Sequence, residues 1–252
     1  MICPAFPQGM QGVIFDCDGV LIESRQANEA YYNRILAHLG LPPMTASQES
    51  HSFMATVGQT LKAILPPELH PRIPEAARAV DYVRDILPLL SLQPGLLSFL
   101  DFLRDNSVRM AVHTNRGHAG MQCVLDFFAL AGYFDQIVTA QSAPPKPSPE
   151  GTADICARWG LEPRQVCYLG DSPVDRQTAR GAGVVFVAFN AGSLEGDIQV
   201  PDFPALRRIL EAPFPASGSA LRHGGHPERP ARREGADADN PAPVGNDARR
   251  QA

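Results

Sequence analysis

Two aspartates separated by one residue directly follow an apolar run near the start of the chain. Residues 13–15 are Val, Ile and Phe, and Asp16, Cys17 and Asp18 come next. Side chains alternate along an extended segment, so both carboxylates point to the same side. Like charges this close repel each other unless a proton or a cation stands between them. A divalent metal at the end of a strand would hold both, although a strand ending in a polar turn explains these residues nearly as well.

Further polar groups follow later strands and loops, namely Thr114 with Asn115, then Lys146, then Asp171 with Asp175. Parallel strands bring their carboxyl ends to one edge of a sheet, so we expect these side chains to converge there. Together with the first two aspartates they form the set that phosphoryl transfer through an aspartyl-phosphate requires. Only two lysines occur in the whole chain, which makes a lysine in this set unusual.

The elements that position these groups alternate between strand and helix, which predicts a parallel sheet. Strands are expected at residues 13–15, 108–112, 137–139, 166–169 and 184–188. No strand pattern occurs between Leu21 and Val108, where helices are expected at 24–39, 53–65 and from Pro74 onwards. The predicted fold is α/β, with a Rossmann-like parallel-sheet core, an inserted all-helical cap domain and a disordered C-terminal tail.

The expected domain boundaries follow from these patterns. Residues 1–23 and 93–211 form the core, and residues 24–92 form the cap. Residues 212–252 are rich in Pro, Gly, Ala, Arg and acidic residues. Such a segment buries too little apolar surface to offset the entropy of ordering, so it is expected to be disordered.

Composition limits the partners and the compartment. The net charge of −5 disfavours nucleic acid as a partner, and no apolar run is long enough to span a membrane. The five cysteines are scattered, without metal-ligand or disulfide spacing. With no signal peptide visible, a cytoplasmic protein with reduced thiols is expected.

Four motifs in a fixed order give the chain a family resemblance. They are D-C-D-G from Asp16, T-N-R from Thr114, K-P-S-P-E from Lys146 and G-D-S-P-V-D from Gly170. In this order they resemble the motifs of the haloacid dehalogenase superfamily hydrolases with a helical cap, a branch that includes phosphoglycolate phosphatases and β-phosphoglucomutases. The resemblance covers residues about 13 to 190.

The resemblance implies a role for each motif. Asp16 would be the nucleophile, and Asp18 the acid that protonates the leaving alcohol and then activates water. The Thr114 side chain and the Asn115 backbone N–H would bind a phosphoryl oxygen. Lys146 would neutralise the nucleophile and the transferred phosphoryl group.

The implied cofactor is Mg²⁺, bound by Asp16, Asp171 and the backbone carbonyl of Asp18. Asp175 would act through water or by holding Lys146, although a carboxylate in the first turn of a helix is nearly as good an interpretation.

The cap loop at Gly58 and Gln59 resembles the family's specificity loop, but a glycine that ends a helical segment explains it about as well. Arg116 either touches the substrate or is simply solvated, and His113 receives no role.

These inferences predict a Mg²⁺-dependent phosphatase that hydrolyses a small phosphorylated metabolite through an aspartyl-phosphate. A β-phosphoglucomutase-like sugar phosphomutase shares the intermediate and remains an alternative. A non-catalytic protein that binds a phosphate ligand on the same fold is a second alternative. A monomer or a homodimer is expected.

Overall fold

The strand that precedes the first two aspartates lies in the centre of the main sheet. This strand, β1, spans Gly12–Phe15 and is buried along its whole length. The structure is a computed structural model, and it describes Phe6 and residues 9–211. A strand with parallel neighbours on both sides and helices above and below is expected to be apolar throughout, as β1 is.

The main sheet has six parallel strands, in the order β5-β4-β1-β6-β7-β8. Its other strands are β4 (Arg109–His113), β5 (Gln136–Val138), β6 (Val166–Gly170), β7 (Val185–Phe189) and β8 (Ile198–Val200). This arrangement confirms the predicted α/β class with a parallel sheet. The predicted tail, residues 212–252, lies outside the described residues.

Ten α-helices occur in the described part of the chain, and none of them is long and apolar enough to cross a bilayer. They are α1 (Arg25–His38), α2 (Ala46–Ser52), α3 (Val57–Ile64), α4 (Ile73–Arg78), α5 (Tyr82–Asp85), α6 (Leu96–Asp105), α7 (His118–Phe127), α8 (Glu150–Trp159), α9 (Pro173–Ala182) and α10 (Phe203–Leu210).

Apolar side chains pack on both faces of the sheet. Val13 and Phe15 of β1 belong to one buried cluster, which also contains Phe99 of α6 and Phe203 of α10. Ile14, between them in the sequence, belongs to a second cluster together with residues of α8 and α9. The alternation of side chains along a strand therefore divides the core into two layers. Helices on both faces hold the sheet edge in place beneath the polar groups that follow its strands.

The chain between residues 24 and 90 is helical or irregular, as the sequence predicted. Two details differ from the prediction. Two-residue strands, β2 (Ile22–Glu23) and β3 (Ser91–Leu92), pair antiparallel where the insertion leaves and re-enters the core. The helix expected from Pro74 onwards is broken into α4, α5 and a 3₁₀ turn at Leu87–Leu89. The two short strands were missed because two residues are too few to show an alternating pattern. The helix is interrupted because Asp81 caps the start of a new one. The division into core and cap domains stays a prediction.

Candidate active site

Lys146 lies between two buried carboxylates at the carboxyl edge of the sheet. Its Nζ is 2.8 Å from Oδ1 of Asp16 and 2.7 Å from Oδ1 of Asp175. Asp16 follows β1 directly and donates its backbone N–H to the Leu169 carbonyl of the neighbouring strand. Burial alone would lower the pKa of Lys146, but Asp16 and Asp175 raise it well above its usual value. The ammonium is therefore charged and fixed in place.

Asp175 connects this lysine to the start of α9. Its Oδ2 accepts hydrogen bonds from the backbone N–H and the hydroxyl of Ser172, at 3.2 and 2.5 Å, and the Ser172 Oγ accepts from the Asp175 N–H. This reciprocal pair is the capping box of α9. The Tyr168 hydroxyl lies 3.2 Å from Oδ1 of Asp175 and 3.0 Å from the His113 carbonyl oxygen. Asp175 thus sits in the first helical turn and also contacts Lys146.

Asp171 completes a cluster of three carboxylates. One oxygen each of Asp16, Asp171 and Asp175 lies within 4.8 Å of the others. Within the described residues Asp171 forms no ion pair, and burial, followed by the charge of Asp175, raises its pKa to about 7. Gly19 makes room for this side chain, because it has a φ of +78° and a Cβ there would overlap the Asp171 carboxylate.

The charge balance of this cluster suits a divalent cation. Three carboxylates face one ammonium, and burial, followed by the charge of Asp175, raises the pKa of Asp16 well above its usual value. Hard oxygen ligands of this type fit Mg²⁺. Asp16 and Asp171 were both expected as ligands from the sequence. The third carboxylate of the cluster is that of Asp175, whereas the Asp18 carboxylate is engaged elsewhere.

The side chain of Asp18 pairs with Arg116. The guanidinium donates from Nε to Oδ2 of Asp18 at 2.7 Å and from Nη2 to Oδ1 at 2.6 Å. Burial opposes ionisation of Asp18, but Arg116 lowers its pKa below the usual value. The third guanidinium nitrogen, Nη1, donates to the Tyr82 hydroxyl at 2.6 Å. Arg116 is therefore largely buried and ion-paired rather than solvated.

Thr114 and Asn115 follow β4 and face the same edge of the sheet. Thr114 is buried, and its Oγ1 accepts a hydrogen bond from the Arg116 backbone N–H. The Asn115 Oδ1 accepts a hydrogen bond from the Lys146 backbone N–H at 2.8 Å, and its Nδ2 donates to the carbonyl oxygens of Lys146 and Met54, both at 3.2 Å. The Asn115 side chain thus fixes the lysine loop and contacts the helical insertion.

A cavity of about 320 Å³ opens over these groups. Asp16, Asp18, Thr114, Asn115 and Lys146 contribute to its floor. The inserted helices contribute mainly aromatic and apolar side chains to its walls, including Tyr31, Phe53, Met54, Val80, Tyr82 and Ile86. The cavity has room for a phosphoryl group and a small leaving group.

Gly58 and Gln59 are not among the residues that line this cavity. Gln59 is exposed, and its side chain accepts a hydrogen bond from the Thr56 backbone N–H at the start of α3. Gly58 is exposed as well, with open space where a Cβ would be. Their proposed role in specificity stays a prediction, and the neighbouring residues Met54 and Val57 reach the cavity instead.

Three contributors to the site, Tyr82, Tyr168 and Ser172, were missed by sequence reasoning. Tyr82 and Arg116 meet across a separation of 34 residues, which no local pattern reveals. Tyr168 could have been noticed, because a hydroxyl in a fully buried strand must find a partner. Ser172 also carried a signal, since a serine three residues before an acidic residue is typical of a capping box.

Comparisons with known proteins identify the family. A family model described as haloacid dehalogenase-like hydrolase matches residues 13–189. The chain belongs to the haloacid dehalogenase-like hydrolases. This confirms the resemblance inferred from the four motifs, and the match spans all of the site residues discussed above.

Several relatives of this haloacid dehalogenase-like hydrolase are phosphoglycolate phosphatases. That of Cereibacter sphaeroides is 32% identical, over 73% of this chain and 86% of the relative. That of Pseudomonas putida is 30% identical, over 83% of this chain and 82% of the relative. Among solved structures, a subfamily IA hydrolase of the same superfamily from Geobacter sulfurreducens has a TM-score of 0.66 and 32% identity, covering 80% of this chain and 96% of that one.

Proposed function

We propose that this chain is a Mg²⁺-dependent phosphatase that hydrolyses a small phosphorylated metabolite through an aspartyl-phosphate on Asp16. Its family membership and its phosphatase relatives support this assignment. The observation that carries it is the position of Lys146, which lies within 2.8 Å of both Asp16 and Asp175 beside a further carboxylate, Asp171. A structural ion pair needs one carboxylate, whereas phosphoryl transfer uses all of these groups.

Asp16 is the nucleophile in this proposal. An oxygen of its carboxylate attacks phosphorus, the bond from phosphorus to the leaving-group oxygen breaks, and the electron pair stays on that oxygen. The backbone N–H of Cys17 already lies 2.6 Å from Oδ1 of Asp16, so the carboxylate is oriented before substrate binds. Lys146 offsets the negative charge that accumulates around phosphorus.

Asp18 moves the protons. As an acid it donates a proton to the leaving-group oxygen, and as a base it then takes a proton from the water that attacks the aspartyl-phosphate. The second step breaks the phosphorus–oxygen bond to Asp16 and releases inorganic phosphate. Thr114 and the backbone N–H of Asn115 bind phosphoryl oxygens at the edge of the sheet.

Mg²⁺, held by Asp16 and Asp171, would supply positive charge that offsets the repulsion between an anionic nucleophile and an anionic phosphoryl group. Asp175 holds Lys146 and completes the acidic cluster. The inserted helices cover the cavity and limit the access of bulk water to the reacting groups.

The test is hydrolysis of p-nitrophenyl phosphate with and without Mg²⁺. We expect slow turnover that depends on the metal, and a fall of at least about 10³-fold in kcat for Asp16→Asn, because the amide is not a nucleophile. Asp135→Asn is the matched control, since Asp135 is exposed just before β5, at the opposite edge of the sheet. Turnover by Asp16→Asn at the level of the control would show that Asp16 is not the nucleophile.

A further inference from the structure

The guanidinium of Arg116 is bound on two sides inside the cavity. Its Nε and Nη2 face both oxygens of Asp18, and its Nη1 faces the Tyr82 hydroxyl of α5. The side chains of Arg116 and Asp18 are 16% and 25% exposed, so the pair is partly dehydrated. A bidentate pair of this kind is strong and directional. It also occupies both oxygens of the residue assigned to proton transfer.

Arg116 differs from the other cation of the cavity in its position. The cations that line the described cavity are Lys146 and Arg116. Lys146 lies between Asp16 and Asp175, while Arg116 contacts Tyr82 of the inserted helices. With phosphorus at Asp16, as in the proposed function, we expect the leaving group to extend toward these helices. The nearby walls are built from aromatic and apolar side chains such as Tyr31, Phe53 and Val80. The inserted helices also contribute the neutral polar side chains of Asn28 and Ser52, so the cationic partner that a leaving group meets in this space is Arg116.

We propose that Arg116 determines specificity, and that the substrates are phosphomonoesters whose leaving group carries a second anionic group that takes the guanidinium edge held here by Asp18. This inference rests on the proposed phosphatase function. The exchange replaces one bidentate anion by another, so Arg116 is never left buried without a partner. It also releases Asp18 to approach the leaving-group oxygen.

Tyr82 keeps the guanidinium in place during the exchange. Its hydroxyl accepts from Nη1, which does not take part in the contact with Asp18. A neutral leaving group cannot displace Asp18, because it offers no charge in return for the pair that would be broken. A lysine would not replace Arg116 fully, since a single ammonium cannot match both oxygens of a carboxylate.

The experiment compares two substrates that differ in this charge, 2-phosphoglycolate and its neutral amide, with p-nitrophenyl phosphate as a reference. For the wild-type protein we expect kcat/KM to favour the carboxylate substrate over the amide by about 10²-fold, the effect of a charge-assisted pair. For Arg116→Gln we expect most of this preference to disappear. Arg109→Gln is the matched control and should keep the full preference, because Arg109 is exposed at the opposite end of β4.

Arg116→Lys is the second variant. It retains the positive charge, and it provides the test if Arg116→Gln does not fold. It should show a reduced preference, mainly through a higher KM for the carboxylate substrate. A wild-type ratio near one, or an unchanged ratio in either Arg116 variant, would overturn the inference. Turnover of p-nitrophenyl phosphate without turnover of 2-phosphoglycolate would overturn it too, while the proposed function stands. Absence of turnover with all three substrates would overturn the proposed function itself.

Discussion

The charged residues of the site carry an excess of negative charge. Asp16, Asp171 and Asp175 present three carboxylates to the single ammonium of Lys146. Burial and mutual repulsion raise the pKa of Asp171 to about 7, which is how a protein without a bound metal reduces such repulsion. The acidic cluster therefore couples proton binding to stability, and a metal ion bound there would enter the same balance.

Asp171→Asn tests this coupling in metal-free protein. The unfolded chain loses the Asp171 proton near the usual pKa of 3.8, whereas burial and the charge of Asp175 raise the pKa to about 7 in the folded protein. The folded state binds more protons in this interval, so raising the pH lowers the free energy of unfolding, by up to about 1.4 kcal/mol per pH unit. We expect the free energy of unfolding, measured with denaturant, to decrease less steeply with pH for Asp171→Asn than for the wild type.

Added Mg²⁺ provides the complementary readout. Because a metal competes with the proton for the carboxylates, we expect Mg²⁺ to stabilise the wild-type protein more at about pH 8 than at about pH 5. Identical pH slopes for the wild type and Asp171→Asn would show that this carboxyl does not carry the effect.

At the scale of elements, the site depends on how strands end and helices begin. Asp16 follows β1, Thr114 follows β4, and Asp175 lies in the first turn of α9 beside its cap, Ser172. The capping box of α9 thus stabilises the helix and also orients the carboxylate that holds Lys146. In the proposed mechanism, one interaction would serve both folding and chemistry.

Ser172→Ala tests whether this helix cap affects turnover as well as stability. We expect it to cost about 1 kcal/mol of stability, as the loss of an N-cap usually does, and to lower kcat because Asp175 loses two hydrogen bonds. Thr45→Ala removes the exposed capping box of α2 and should cost a similar amount without changing kcat. Thermal unfolding and p-nitrophenyl phosphate turnover measure the two effects. Equal kcat in both variants would show that Ser172 only caps the helix.

The sequence predicted elements well where the physical signal is local. The apolar run before Asp16 located β1. The glycines and prolines that separate stretches of helical periodicity located most of the core helices. The strand β8, the helix α2 and the break before Tyr82 were missed, because short elements in polar segments depend on tertiary contacts. The Arg116 pair with Asp18 joins residues 98 positions apart, so only the folded chain reveals it.

At the scale of the whole molecule, the inserted helices and the sheet edge meet around the cavity. Hydrogen bonds cross between them, from Arg116 to the Tyr82 hydroxyl and from Asn115 to the Met54 carbonyl. All of the proposed site residues lie within the family match, and α10 buries Phe203, Leu206 and Leu210 after it. The described residues therefore contain both the core and all of the proposed site residues.

Truncation after Glu211 tests whether residues 212–252 contribute. We expect kcat/KM for p-nitrophenyl phosphate to stay within about twofold of the full-length value, since no proposed contact involves this segment. The midpoint of thermal unfolding should also change little. A large fall in either quantity would show that the segment takes part in the fold or in the site.

The most direct test of the central claim is to look for the phosphoryl group on Asp16. Rapid acid quenching during turnover of p-nitrophenyl phosphate, followed by mass spectrometry of the peptides, should show one added phosphoryl group on the peptide that contains Asp16. Asp18→Asn should accumulate more of this species, because it lacks the base that activates water, and Asp16→Asn should show none. Turnover with no phosphorylated Asp16 peptide in Asp18→Asn, or with the phosphoryl group on another residue, would contradict the account.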